Sequence, residues 1–189
     1  MSLTAGRGRI YDLCMQIVIM DYQRRWAEEY AAIERDIRGV VGPEVQRIDH
    51  IGSTSVPGLA AKDIIDIQLS VSAIEPVEAY GKGLESLGYF EKPGNLERNK
   101  RYFRESSGMR RTHIHIRESG AFGQQFALLF RDYLRASPDE CEYYADAKRV
   151  LAQRDWDSVS DFGDAKDPLF WEIARRANAW QQATAWRSG

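Results

Sequence analysis

Cysteine is nearly missing from this 189-residue chain. Cys14 and Cys141 are its two, and neither sits in a metal-ligand spacing. A disulfide framework and a cysteine-based metal site are therefore not expected, and a reducing cytoplasm is the expected compartment. Histidine is scarce too, with three residues confined to two segments. Neither sign of charge dominates: 26 Lys and Arg face 28 Asp and Glu, a net charge of -2. No global field then draws the chain to nucleic acid or an anionic membrane, and any electrostatic partner must be met by a local patch. Long apolar runs are absent as well. The run at 10–20 is broken by Asp12 and Gln16, is too short to span a bilayer, and has no signal-peptide cleavage pattern. With no repeat, low-complexity segment or linker, a single domain is expected over residues 16–186, behind a flexible leader at 1–15 and mainly helical over 119–186.

What is present is the composition of an ordinary globular protein, 43% hydrophobic and 29% charged, long enough to bury a real core. Tyr22, Trp26, Tyr30, Ile33 and Ile37 recur at helical spacing, with Gly39 as the stop and Gly42-Pro43 as the turn that follows. Residues 16–20 read as a short strand and 45–51 as another. Residues 64–71 read as a stronger one, because β-branched residues alternate with polar ones. Val77, Tyr80, Leu84 and Leu87 mark a helix over 75–87 that ends at Gly88. Residues 102–105 and 111–117 read as an antiparallel pair across Ser106-Ser107-Gly108. Three helical patterns close the chain, at 122–134, 138–154 and 168–186. The expected class is α/β (α+β): a small mixed sheet flanked by helices, with a helical C-terminal portion.

Between two of the strands, Gly52, Ser53, Thr54, Ser55 and Gly58 crowd into seven positions. Such a turn exposes backbone N–H groups and hydroxyls, the chemistry that receives phosphate. It is not a Walker P-loop, which needs four residues between its glycines and a Lys directly after the second. Here five separate Gly52 from Gly58, and Lys62 comes four later. Asp66 lies inside the apolar strand that follows, where an unpaired carboxylate is costly to bury. It either faces water at a sheet edge or faces a ligand, and in the second case it can hold a metal ion against the phosphate. Lys62, Ile64, Asp66 and Gln68 alternate onto one face. Asp49 and Asp63 are weaker candidates that read equally well as caps.

His113 and His115 point to one face of their strand. Two imidazoles at that spacing bind a metal or phosphate, or act as acid and base; the plain alternative is a solvated face or buried rings bonded to backbone. Adjacency of their strand to that of Asp66 would decide between these. His50 stands beside the glycine turn. Residues 98–117 hold seven basic side chains and one acidic one, Glu105, either solvated hairpin charge or a cationic wall beside a phosphate site. Aromatics are sparse there, which argues against a platform for single-stranded nucleic acid. Phe130, Tyr133, Tyr144, Phe170, Trp171 and Trp180 read as a helix interface. Arg131, Asp132 and Lys148 are further candidates for substrate contact.

These residues resemble a known family. The run from His50 through Gly52-Ser53-Thr54-Ser55 and Lys62 to Asp66 is similar to the signature of the GrpB family. His113-Ile114-His115-Ile116, the run from Phe130 to Arg135, and Lys166, Phe170, Ala177 and Trp180 fit the same pattern, so the resemblance spans roughly residues 17–182. A GrpB-like domain also occurs fused behind dephospho-coenzyme A kinase in some bacteria. The resemblance implies a nucleotidyltransferase-like fold. In active members of that superfamily the serine of a Gly-Ser turn holds a nucleotide phosphate, carboxylates hold two Mg2+ ions, and a nucleotidyl group passes to a hydroxyl or phosphate. Gly52 and Ser53 match the turn and Asp66 the first carboxylate. The second carboxylate is replaced by Gln68, and the later strand that carries the third offers His113 and His115. One carboxylate with imidazoles suits a softer divalent ion better than a Mg2+ pair.

The expected function is therefore that of a phosphate- or nucleotide-binding protein, with metal-dependent nucleotidyl transfer as the candidate activity. A non-catalytic folding or regulatory module that keeps the fold, and a metal-dependent phosphohydrolase, are the alternatives. Phosphate contacts fall to Gly52, Ser53, Thr54, Ser55, Lys62 and Arg111. Catalysis and metal binding fall to Asp66, His113 and His115. The expected cofactor is a divalent metal, Mg2+ or Mn2+. The expected partner is a nucleotide or other phosphorylated small molecule, with a protein partner left open and neither membrane nor nucleic acid expected.

Overall fold

The structure, a computed structural model, describes residues 16–94 and 97–188; the leader expected at 1–15 lies outside them. Alternating apolar and polar residues give one five-stranded sheet two different faces. Its order is β1-β2-β5-β4-β3. Strand β1 (Val45–Ile51) pairs antiparallel with β2 (Ile65–Val71), and β2 runs parallel to β5 (Thr112–Glu118). Strand β4 (Lys100–Glu105) pairs antiparallel with both β5 and β3 (Tyr89–Glu91). Ile65, Ile67 and Leu69 of β2, with Ile114 and Ile116 of β5, are all buried. They meet Trp26 and Ile37 of α1 (Arg25–Arg38) and Tyr80 and Leu84 of α2 (Glu78–Ser86) in one apolar core. A strand period of two then sends Asp66, Gln68, His113 and His115 to the other face.

That second face looks toward a helical layer. Helices α3 (Phe122–Ala136), α4 (Pro138–Ala152) and α6 (Asp167–Thr184) share a core of Leu129, Tyr133, Tyr144, Ile173 and Ala177. Val56 and Leu59, from the segment between β1 and β2, join it. The small mixed sheet, its flanking helices and the helical C-terminal portion match the expected α/β class.

Three local differences have plain causes. The strand expected at 16–20 reduces to a single antiparallel bridge from Met20 to Ala61. Helix α2 starts at Glu78 rather than 75, because Pro76 disfavours helical backbone in the residue before it and has no N–H to donate. Strand β3 and α5 (Val159–Asp164) are too short to show a period, although α5 has a real N-cap, Ser158 Oγ accepting from Asp161 N at 3.1 Å. No described helix is long and apolar enough to cross a membrane.

Asp63 has a structural job. Its carboxylate accepts from Trp26 Nε1 at 2.7 Å, from Arg25 Nη2 at 2.8 Å and from Arg110, tying α1 to the start of β2. Burial pushes its pKa up, but Arg25, Trp26 and Arg110 outweigh that and hold it below the ordinary 3.8. The stability it contributes is present above pH 3.8 and is lost as pH falls through the lower folded value. Asp63→Ala leaves the indole N–H of fully buried Trp26 without its acceptor. It is expected to cost about 1–3 kcal/mol, seen as a lower urea midpoint at unchanged slope.

Candidate functional site

In the parallel β2–β5 pair, Asp66 stands opposite His113 and Gln68 opposite His115. The strand adjacency that joins carboxylate and histidines into one site is thus present. Asp66 Oδ1 lies 3.2 Å from His113 Nδ1 and 3.6 Å from His115 Nε2. One donor atom from each of the three residues falls within 4.8 Å of the others, and among the described residues no other trio of His, Cys, Asp or Glu converges this way. Asp66 is not an edge carboxylate, since β2 lies between β1 and β5 and the side chain is 27% exposed.

Burial alone would raise the Asp66 carboxyl, but hydrogen bonding and charge from His113 and His115 hold it well below the usual carboxylate range. Burial lowers His115 below an ordinary imidazole despite the pull of Asp66, favouring the neutral ring that ligates metals. His113 Nε2 is buried and has no hydrogen-bond partner. Gln68 is fully buried and donates its amide to the Gln124 carbonyl of α3 at 3.1 Å, away from a ligand role. One carboxylate and two imidazoles fit a single first-row divalent ion, Mn2+ through Zn2+, far better than two Mg2+ ions that prefer oxygen cages.

The glycine turn closes directly over this group. Gly52 has φ of 69°, and a Cβ there would lie 2.5 Å from Asp66 Oδ2. Backbone conformation and close approach both require glycine. Ser53 Oγ accepts from Lys148 Nζ at 3.0 Å and lines the cavity beside Asp66. Thr54 and Ser55 are buried, and their hydroxyls brace the turn. Thr54 Oγ1 donates to Ile64 O at 3.0 Å, and Ser55 Oγ to Gly52 O at 2.6 Å. His50 belongs to the opposite side of the sheet. It stacks on Tyr30 of α1 with ring centroids 4.6 Å apart, and burial lowers its pKa to about 4.

Two cavities meet at Gly52, Ser53 and Asp66. The smaller, about 280 Å3, takes in Lys62, His113 and Lys166. Lys62 and Lys166 lie over the Phe162 ring of α5 at 5.3 and 5.0 Å, and Lys148 over Tyr144 at 4.5 Å. Lys148 is only 3% exposed and also donates to the Ala60 carbonyl. None of the three lysines forms an ion pair with a carboxylate among the described residues. Burial lowers the pKa of each, and the neighbouring Lys166 charge adds to this at Lys62 and Lys148, which falls to about 7.

The larger cavity, about 620 Å3, is lined by Asp66 and His115, by the rings of Phe122, Phe126, Phe130, Phe170 and Trp171, and by the polar side chains of Glu97, Asn99, Lys100 and Arg117. The basic segment over 98–117 is not a free cationic wall. Arg101 pairs with Glu75 and Glu91, Arg104 with Glu105, and Arg110 with Glu29 and Asp63. Arg117 reaches Glu97 at 3.3 Å. Arg111 points out near Glu105, at 3.7 Å, and lines neither cavity.

The family described as GrpB protein matches residues 16–176. The chain belongs to the GrpB family. A UPF0157 protein of Streptomyces coelicolor is 40% identical over 168 residues, covering 87% of this chain and 86% of that protein. The UPF0157 protein YqkA of Bacillus subtilis is 36% identical over 167 residues and 88% of this chain, which spans only 49% of that relative's length. The dephospho-CoA kinase of Mycolicibacterium paratuberculosis is 33% identical over 187 residues, across 86% of this chain and 46% of that protein. Among solved structures, GrpB from Enterococcus faecalis aligns with a TM-score of 0.78 at 31% identity, over 86% of this chain and 99% of that one. The Cid1 poly(U) polymerase aligns with a TM-score of 0.53 at 13% identity, over 72% of this chain and 45% of that one, a likeness of fold. The fold of this GrpB chain is nucleotidyltransferase-like.

Within the GrpB chain the structure brings together Gly52, Ser53, Lys62, Asp66, His113 and His115 and leaves Arg111 at the periphery. It adds Lys166 and gives Lys148 a defined place. Lys148 carried a usable signal, since it falls four residues after Tyr144 on the buried stripe of α4, where a lysine without a purpose is costly. Lys166 had none beyond the family pattern. Of the residues expected in a helix interface, Tyr133 is buried there, Tyr144 is buried there and also lines both cavities, and Phe130, Phe170 and Trp171 line the cleft.

Proposed function

We propose that this GrpB-family protein binds a nucleotide or another phosphorylated small molecule in the cytoplasm, and that it transfers a nucleotidyl group. The phosphates would lie beside Ser53, among Lys62, Lys148 and Lys166. The lysine cluster carries this reading. Lys62 and Lys166 line one cavity with Ser53 and Asp66, Lys148 donates to Ser53 Oγ from behind the turn, and none of the three forms an ion pair among the described residues. Buried cations left unpaired are costly, and phosphate oxygens supply the missing charge through short, charge-assisted hydrogen bonds.

Asp66, His113 and His115 are the residues that would hold a divalent ion, whose bound charge stabilises a phosphate under attack. The chain's own groups then have separate tasks. Ser53 Oγ fixes the phosphate against the turn, and the lysines offset charge that gathers on the departing phosphate oxygens.

Calorimetric titration of ATP, GTP and CTP, with and without Mn2+ or Zn2+, tests the proposal. Ser53→Ala is expected to weaken the nucleotide that binds by roughly tenfold, the loss of one charge-assisted hydrogen bond. Absence of heat with every nucleotide under every metal condition contradicts it. Burial and the nearby Lys166 charge push the Lys148 ammonium down to about 7, so its charge is present below that pH and lost above it. Nucleotide should therefore bind more tightly at pH 6 than at pH 8, and Lys148→Met should flatten that profile.

A non-catalytic binding module is a second reading with one observation in its favour. Gln68 fills the position of a second carboxylate and is tied to α3. A nucleotide that binds tightly but is never consumed, with any metal or acceptor hydroxyl supplied, would favour it.

A further inference from the structure

We infer that the larger cleft is the subsite for a planar aromatic ring of the substrate, so that the ligand is a nucleotide rather than a sugar phosphate or an inorganic polyphosphate; this rests on the phosphate reading of the adjoining cavity. The two cavities share Gly52, Ser53, Asp66 and Tyr144, so a molecule with its phosphates among the lysines leads straight into the cleft.

What it meets there is a cluster of five rings, Phe122, Phe126, Phe130, Phe170 and Trp171, among a few aliphatic side chains. Phe130 and Phe170 lie 4.6 Å apart at a tilt of 32°. Phe126 is 5.3 Å from Phe170 and 5.9 Å from Trp171. Rings that merely filled a helix interface would be covered. Here Phe122 and Trp171 are 75% and 53% exposed, and Phe126, Phe130 and Phe170 are half-buried. Clustered exposed aromatics are unfavourable in water and mark a surface that receives something.

Three properties select the occupant. Stacking needs a flat π-face, which every nucleobase has and a sugar phosphate lacks. Glu97, Asn99, Lys100 and Arg117 also line the cleft, so the ring's edge has polar groups to meet while its face meets carbon. A volume of about 620 Å3 suits a nucleoside-sized group, whereas inorganic triphosphate would leave the cleft to solvent.

The test compares nucleoside triphosphates (ATP, GTP, CTP and UTP) with inorganic triphosphate and ribose 5-phosphate, by calorimetry and tryptophan emission. Wild type, Phe170→Leu and Trp171→Phe are used as full chains. At least one nucleotide is expected to bind roughly 5- to 100-fold more tightly than inorganic triphosphate, as one stacked base provides. It should also quench an emission component that Trp171→Phe lacks. Phe170→Leu should remove most of that advantage while leaving triphosphate affinity unchanged, which also shows that the variant is folded. Equal binding of nucleotides and triphosphate, unaffected by Phe170→Leu, overturns the inference and leaves the phosphate site standing. If none of these ligands binds, the phosphate reading itself fails and the inference falls with it.

Discussion

Asp66→Asn is expected to remove divalent-metal binding and to lower metal-dependent nucleotide affinity by roughly 100-fold or more. The change keeps the shape of the side chain and deletes one charge. In this site that charge is the only carboxylate between two imidazoles, 3.2 Å from one and 3.6 Å from the other. Loss of a partner one step removed from a metal already costs about 10- to 100-fold in affinity, and Asp66 is itself a donor. Gln68 is neutral and bonded to Gln124, and Asp49 is paired with Arg47 and Arg131, so neither of these neighbours is placed to replace it. Competition against a chromophoric chelator reads the metal, and calorimetry reads the nucleotide. An unchanged circular dichroism spectrum would place any loss in the site and not in the fold. Wild-type metal affinity in Asp66→Asn would mean that these three residues are not a metal centre.

Gly52→Ala combines two penalties at one position. The backbone there, with φ of 69° and ψ of -174°, is a region that essentially only glycine occupies, and forcing a side chain into it costs on the order of 1–3 kcal/mol. The new methyl would also lie 2.5 Å from Asp66 Oδ2 and 2.9 Å from its Cβ. Asp66 cannot retreat, because β2 is held by β1 and β5. A total loss of about 2–4 kcal/mol of stability is expected from strain and overpacking together, with metal and nucleotide binding lost as well. Gly58→Ala is the control. Its φ is 84°, but nothing lies within 4 Å of the added carbon, so it should cost only the backbone share and keep both ligands. Equal effects at the two glycines would show that the contact with Asp66 has no functional weight.

The parts of the site that lie on strands were readable because a period of two is a strong rule. Asp66 and Gln68, and separately His113 and His115, had to share a face once their strands were recognised. That the two strands are neighbours was not readable, because the parallel β2–β5 pairing joins segments separated by α2, β3 and β4. The family resemblance, not the pattern, supplied that link. Charge was the least legible feature. The basic hairpin read equally as solvated charge or as a cationic wall, and only the fold shows Glu29, Glu75 and Asp63 reaching it from other elements to pair with it. The lysines that do gather come from a loop, from α4 and from the turn before α6, and only tertiary packing puts them together. His50 does stand beside the glycine turn, its Nε2 3.0 Å from Thr54 Oγ1, while its neighbours Asp49 and Ile51 take the site-facing positions opposite Gln68 and Asp66.

If one metal ion and one nucleotide are held jointly around Asp66 and Ser53, calorimetric titration of Zn2+ into the full chain, first alone and then with saturating nucleotide, will show it. One ion per chain is expected, bound more tightly with nucleotide present, and tightened by the same factor by which the ion tightens the nucleotide. Absence of ion binding in both titrations, or an affinity for the ion that nucleotide leaves unchanged, would contradict it.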